Sequence, residues 1–195
     1  DNPPPPRLTI DAKDQGAVIS PLLFGCNLEV TRRAIWRGLG AEMVANRKFA
    51  AVTNGLPKRW YAIPDAGSVV MDDKVAFVGK GAVRIGGQTP GGLGQQQELL
   101  AFRKGTRYTF RWWLKAEADQ RVWMRIADGK DTQAIARVEK TLKPGDWHLW
   151  TGEFIAPVTA EDARLEIGSK TAGVFWIGAA SVQPTDDFHG MRRDV

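Results

Sequence analysis

Hydrophobic and polar positions change rhythm twice along this chain. In the opening part, RLTIDAKDQGAVISPLLFGCNLEV, Leu8 and Ile10 alternate with polar neighbours and Gln15-Gly16 marks a turn. The run from Leu22 to Leu28 is mostly apolar, as in a strand buried on both faces. Residues 38–50, GLGAEMVANRKFA, then place Leu39, Met43, Val44 and Arg47 at three- and four-residue spacing among good helix formers, which predicts a helix. From Trp60 onward the rhythm shortens. Segments such as SVVMDD, KVAFVGKGAVRIGG, TRYTFRWWLKAE, QRVWMRIAD, WHLWTGEFIA and VFWIGAASVQP are separated by Gly, Pro and Asp. Strands recurring at roughly 8–12 residue spacing predict an antiparallel, jelly-roll-type β-sandwich. The chain closes on TDDFHGMRRDV, where Asp187–Gly190 reads as a turn and Met191–Val195 as the first turn of a helix that nothing completes.

Alternation sorts the aromatic residues within strands. Tyr108, Phe110, Trp112 and Leu114 share one face and make the better core side, which leaves Arg111 and Trp113 on the other. Val122, Met124 and Ile126 point inward in the next strand, leaving Arg121, Trp123 and Arg125 outward. Trp113 and Trp123 are therefore the tryptophans expected on an outer face, forming one platform if their strands are neighbours. The competing account is that a loop or another domain covers them. Trp147, Trp150 and Trp176 are most simply core, and Trp60-Tyr61 caps one end of it.

Composition adjusts this picture at a few points. Eight tryptophans in 195 residues exceed what one core of this size needs, and exposed rings suit the apolar faces of sugars. Lys and Arg number 27 against 22 acidic residues, a net charge of +5, but apart from Arg32-Arg33 and Arg192-Arg193 they are scattered. That argues against nucleic acid as a partner, because phosphate recognition needs a concentrated basic stripe. No apolar run approaches the roughly 20 residues of a membrane helix. The start DNPPPPRL has no leader-like pattern and reads as an extended tail at a mature or arbitrary end. Cys26 is the only cysteine, so an internal disulfide is impossible and the thiol reads as a small core hydrophobe. His148 and His189 suggest neither catalysis nor a metal. No cofactor is called for, and Asp72-Asp73 and Asp186-Asp187 read as solvated turns.

The two ends carry a family signal. ISPLLFGCNLEV followed by Gly38, Leu39, Ala41, Glu42, Asn46, Arg47 and Phe49 resembles the opening of α-L-arabinofuranosidases of glycoside hydrolase family 51. SVQPTDDFHGMRRDV, through Pro184, Gly190, Arg192 and Asp194, resembles the stretch where that family re-enters its catalytic barrel. Between them AVRIGG, GLGQ, KGTRYTFRWWLKA and VFWIGAASVQP resemble a family 4-type carbohydrate-binding sandwich. After a proline-rich tail (1–6) that it does not cover, the resemblance implies the first strand and helix of an incomplete (β/α)8 barrel (7–50), a linker (51–59), an inserted binding module (60–184) and a barrel re-entry stub (185–195).

It also implies a retaining parent hydrolase, secreted or periplasmic, whose two catalytic glutamates lie beyond this chain. Such a pair sits about 5–5.5 Å apart, and a whole barrel takes about 250 residues. The chain alone is thus expected to be inactive. Glu29 matches a strand-end glutamate that hydrogen-bonds arabinose in the family. Candidate ligands for a plant cell-wall glycan containing arabinose or xylose are Trp113, Trp123, Arg111, Arg125, Gln88, Gln95 and Gln97. The partners implied are a polysaccharide or oligosaccharide and the rest of a barrel. Two other readings stand beside this one: a sandwich that only braces the barrel, or one piece of an active multi-chain enzyme. Two departures from the family pattern stand out: VTRRAIW after Glu29, and Gly178 where the family has an aspartate near a structural calcium.

Overall fold

The computed structural model describes residues 40–63, 69–96 and 100–191. The strands expected before residue 30, with Cys26 and Glu29, lie outside the described residues, as do Gln97 and Arg192–Val195. In chain order the strands are β1 (Val52–Thr53), β2 (Leu56–Pro57), β3 (Tyr61–Ala62), β4 (Val69–Asp72), β5 (Ala82–Gly87), β6 (Gly92–Gln96), β7 (Arg107–Ala116), β8 (Gln120–Ala127), β9 (Ala134–Leu142), β10 (His148–Ile155), β11 (Arg164–Ser169) and β12 (Gly173–Pro184). Two antiparallel five-stranded sheets face each other, β10-β7-β12-β5-β4 and β3-β6-β11-β8-β9. The predicted sandwich is present.

The inward residues are those the period-two pattern assigns. Phe110, Trp112 and Leu114 of β7 and Val83 and Ile85 of β5 meet Val122, Met124 and Ile126 of β8 and Leu165 and Ile167 of β11, all at most 2% exposed. Trp112 Nε1–H points across the core to Met124 Sδ at 3.1 Å, so the one polar atom of the largest core side chain is satisfied between the sheets.

The expected helix over 38–50 is not formed in its described part. Residues 40–50 run extended into a turn at 45–48. The cause is a vacancy in the first sheet. β12 pairs with β5 only as far as Ile177, and its register shifts between Ile177 and Ala179. Beyond that point one edge of β12 lacks a partner strand, and residues 42–47 fill it: Met43 N donates to Val182 O (3.0 Å) and Ala180 N to Arg47 O (2.9 Å). Glu42 Oε1 stands in for a missing ladder carbonyl, accepting from Val182 N (3.2 Å) and Val44 N (3.0 Å). Asn46, at φ 48, takes both Ala51 N and Ala51 O with its side-chain amide. Side chains that hydrogen-bond neighbouring backbone in this way compete with helix formation. Helix propensity is a weak prior that docking overrides.

Residues 51–59, expected as a linker, hold the hairpin β1–β2. Its two central residues Asn54 (φ 53) and Gly55 (φ 77) have the left-handed geometry of a two-residue turn. Val44, Phe49 and Trp60 are buried in the same core as the sandwich. At the far end, Phe188 and Met191 exchange backbone hydrogen bonds (2.8 and 3.0 Å) around His189 and Gly190, the turn the sequence predicts. That turn lies beside residue 40: Gly40 bridges Met191, and Ala41 N donates to Gly190 O at 2.9 Å.

Candidate functional site

The conditional platform of Trp113 and Trp123 is not formed. β7 and β8 are consecutive in sequence but belong to opposite sheets, so the two tryptophans lie on opposite outer faces. Each is on the outer side that alternation predicts, and each is half-buried.

On the β10-β7-β12-β5-β4 face, the 73–81 loop folds back over Trp113. Phe77 stacks on it with centroids 4.3 Å apart and planes 20° from parallel, and Trp147 leans on Phe77 at 5.5 Å. A Cβ at Gly178 would stand 2.3 Å from Phe77 Cβ and 2.9 Å from Trp147 Cζ3. Gly178 therefore marks the space that this aromatic cluster fills, and an aspartate there has no room. Trp147 belongs to this cluster, whereas Trp150 is in the core as expected. Trp176 is buried too, but on the outer side, with its Nε1–H on Asp72 Oδ2 at 2.9 Å. Arg111 is exposed on the same outer face as Trp113.

The β3-β6-β11-β8-β9 face is built differently. Strand register sets Tyr61, Gly94, Glu166, Arg125 and Arg137 in one row across five strands. The next row holds Gly92, Gly168, Trp123 and Glu139. The glycines lower the floor. A Cβ at Gly94 would lie 2.4 Å from Tyr61 Cζ, one at Gly168 2.6 Å from Trp123 Cζ2, and one at Gly92 2.7 Å from Ile63 Cδ1. Tyr61 and Trp123 thus lie flat along the sheet from opposite sides and converge on β11, at positions two residues apart on one strand face. No aromatic ring among the described residues stacks on either of them.

Between the rings sits a fixed polar network. Arg125 Nε and Nη2 donate to Glu166 Oε2 at 3.0 and 2.7 Å. Its Nη1 and Nη2 reach the two oxygens of Asp131 at 2.8 and 3.1 Å. Tyr61 Oη–H donates to Glu166 Oε1 at 3.0 Å. Burial, with the Glu166 charge behind it, pushes the Tyr61 hydroxyl far up, so it stays a donor. A guanidinium forked between two carboxylates is fixed in orientation, as recognition of hydroxyl-rich ligands requires. Arg125 is thus where the sequence pattern puts it, in the polar centre of the face. Tyr61 and Glu166 escape that pattern, because a two-residue strand and a buried acid give no periodic signal.

The glutamines separate. Gln88 is exposed after β5. Gln95 is fully buried, and both ends of its amide hold Ala45, accepting from N at 3.0 Å and donating to O at 2.9 Å. It ties the 42–47 segment to β6 and offers nothing to a ligand. Among the described residues no three His, Cys, Asp or Glu side chains gather as a metal site would need.

A family of proteins described as "Carbohydrate binding domain" matches residues 41–173, about two thirds of the chain. The chain belongs to this family. It is also 25% identical, over 96% of its own length, to the extracellular exo-α-L-arabinofuranosidase of Streptomyces chartreusis, of which it spans 23%. In fold, this carbohydrate-binding domain is similar to part of an arabinose-bound family 51 α-L-arabinofuranosidase (TM-score 0.68, 13% identity, 81% of this chain and 29% of that one). It is likewise similar to a xylan-binding domain from Paenibacillus barcinonensis (TM-score 0.59, 13% identity, 76% of this chain and 97% of that one). The sandwich is thus a carbohydrate-binding domain similar along nearly its whole length to part of an arabinofuranosidase, and the chain spans about a quarter of the length of that Streptomyces relative.

Proposed function

We propose that the β3-β6-β11-β8-β9 face binds a plant cell-wall polysaccharide containing xylose or arabinose. The observation that carries this reading is the pair of rings, Tyr61 and Trp123, seated on Gly94 and Gly168 with the Arg125–Glu166 pair fixed between them. Flat rings offer apolar contact to the faces of sugar units. Arg125 and Glu166 offer hydrogen bonds to hydroxyls without having to reorganise. Of the ligands read from the sequence, Trp123 and Arg125 belong to this site. Arg111 and Trp113 lie on the other face, Gln95 is internal, and Gln88 is an exposed loop residue.

The whole protein, in the same proposal, is a retaining, secreted α-L-arabinofuranosidase in which Glu29 contacts arabinose inside a barrel formed with the sequence that follows this sandwich. The extracellular Streptomyces relative supports the location. The chain itself carries no catalytic role in this reading.

Affinity electrophoresis in xylan, arabinoxylan and arabinan gels tests the site. Retardation is expected in at least one of the first two, and Trp123→Ala, checked for native unfolding, is expected to run freely. Unchanged mobility of the parent chain in all three gels removes the reading. It would leave the bracing role, which one observation favours: residues 42–47 are hydrogen-bonded into the sheet edge along β12.

A further inference from the structure

Trp123 has cations on several sides. Glu139 faces it across the β8–β9 ladder. Arg121 precedes it by two on the same strand face, Arg137 stands beside Glu139, and Lys170 follows the end of β11. All three cations converge on the single Glu139 carboxylate. Lys170 Nζ is bonded to Oε1, but Arg137 Nη2 is 3.8 Å from Oε1 and Arg121 Nη2 4.0 Å from Oε2, beyond hydrogen-bond length. Neither guanidinium has a hydrogen-bonded acceptor among the described residues, and their side chains are 63% and 66% exposed. One carboxylate cannot neutralise three cations. The platform therefore has a positive margin on its β8–β9 side, while the Tyr61–Glu166–Arg125–Asp131 side is fully paired.

We propose that this margin reads carboxylate groups on the glycan: the ligand is a polysaccharide whose neutral backbone lies on Tyr61 and Trp123 and whose uronic acid branches reach Arg121 and Arg137. The inference rests on the glycan site proposed above and names its ligand class. A uronate carboxylate is planar and accepts two parallel N–H donors, which a guanidinium supplies in fixed geometry. At exposed positions such pairs are individually weak and strongly screened by salt. Charge then selects among glycans already held by the rings, instead of supplying the affinity.

The experiment compares glucuronoxylan with the same polymer after chemical reduction of its uronic acids to neutral sugars, by isothermal titration calorimetry at low and high sodium chloride. The parent chain is expected to bind the acidic polymer about three- to tenfold more tightly at low salt, with the difference closing at high salt. The Arg121→Gln/Arg137→Gln variant is expected to bind the two polymers equally, with the affinity the parent shows for the reduced one. Equal binding of both polymers by the parent chain at low salt overturns the inference and leaves the glycan site standing. A preference that persists in the double variant overturns it as well, by placing the charge recognition elsewhere. Polygalacturonate separates uronate recognition on the platform from adhesion to any polyanion. Its binding is expected to need Trp123, and binding undiminished in Trp123→Ala overturns the inference. Failure to bind either polymer overturns the inference, and the glycan site itself falls only if xylan, arabinoxylan and arabinan gels are all silent as well.

Discussion

The two outer faces of the sandwich each carry one tryptophan at the same kind of position, a strand centre beside a glycine of the neighbouring strand, and they use it in opposite ways. On one face Gly178 makes room for Phe77 and Trp147, and Phe77 closes over Trp113. On the other, Gly168 makes room for Trp123 itself, and among the described residues no other ring stacks on it. A glycine in a strand interior costs stability, and here the same residue type is spent once on closing a face and once on laying a ring flat. What separates a packing tryptophan from one left open to a ligand, as proposed for Trp123, is therefore what the nearby loop brings over it.

The sharpest way to break this comparison is to remove each ring in turn. Trp123→Ala is expected to weaken glycan binding by at least about tenfold, as aromatic anchors do, with little change in unfolding. Trp113→Ala is expected to leave binding unchanged and to cost about 2–3 kcal/mol in urea denaturation, somewhat less than a fully buried ring. Swapped outcomes would reverse the assignment of the two faces. A smaller effect is expected from the glycines. Gly168→Ala pushes against Trp123 and against Gly91 O at 2.7 Å, and should lower affinity several-fold as well as stability. Gly178→Ala should cost about 1–3 kcal/mol through overpacking against Phe77 and leave affinity intact. Both are read by calorimetry beside denaturation.

The smallest effect is the pH dependence at Glu42, where residues 42–47 dock on β12. Burial holds the Glu42 carboxyl above its ordinary value of 4.5, despite hydrogen bonds from Val44, Ser181 and Val182. A raised value means that the folded protein holds the proton more tightly, so Glu42 contributes most below pH 4.5 and that contribution is lost as pH rises through the raised value. Glu42→Gln keeps an acceptor and discards the charge. Its stability relative to the parent should therefore improve as pH rises from 4.5 through the raised value and level off above it, in urea melts across that range. Glu42→Ala, which leaves two buried N–H groups unpaired, should lose about 1–3 kcal/mol at every pH.

Much of the fold was legible because a half-buried strand writes its two faces into alternate residues, and the inward sets of β7 and β8 were readable in that way. Alternation does not say which strands are neighbours. That is why Trp113 and Trp123, correctly placed outward, could be joined only on the condition that their strands are neighbours, and the two sheets do not meet that condition. The apparent helix at 38–50 misled for a related reason: Ala41, Val44 and Phe49 are buried by docking against β12 and β6, and a sequence cannot show an empty sheet edge. Gln95 looked like a sugar ligand because its amide can serve one, but it serves Ala45 instead. Tyr61 reads in sequence as part of a cap, but its ring spans Gly94 to reach Glu166.

The contact between Gly40 and Met191 reaches beyond the sandwich. The chain arrives and departs at one point, so to any protein continuing on both sides the whole of residues 40–191 is equivalent to a loop a few residues long. Closing a flexible connection of that contour length would cost on the order of 3–4 kcal/mol more in chain entropy than closing a tight turn. Here that cost is met once, when the sandwich folds on itself. A host framework can therefore be interrupted at this point with little penalty to its own closure, provided that the sandwich is folded. Loosening the contact at Glu42 would return the penalty to any such framework.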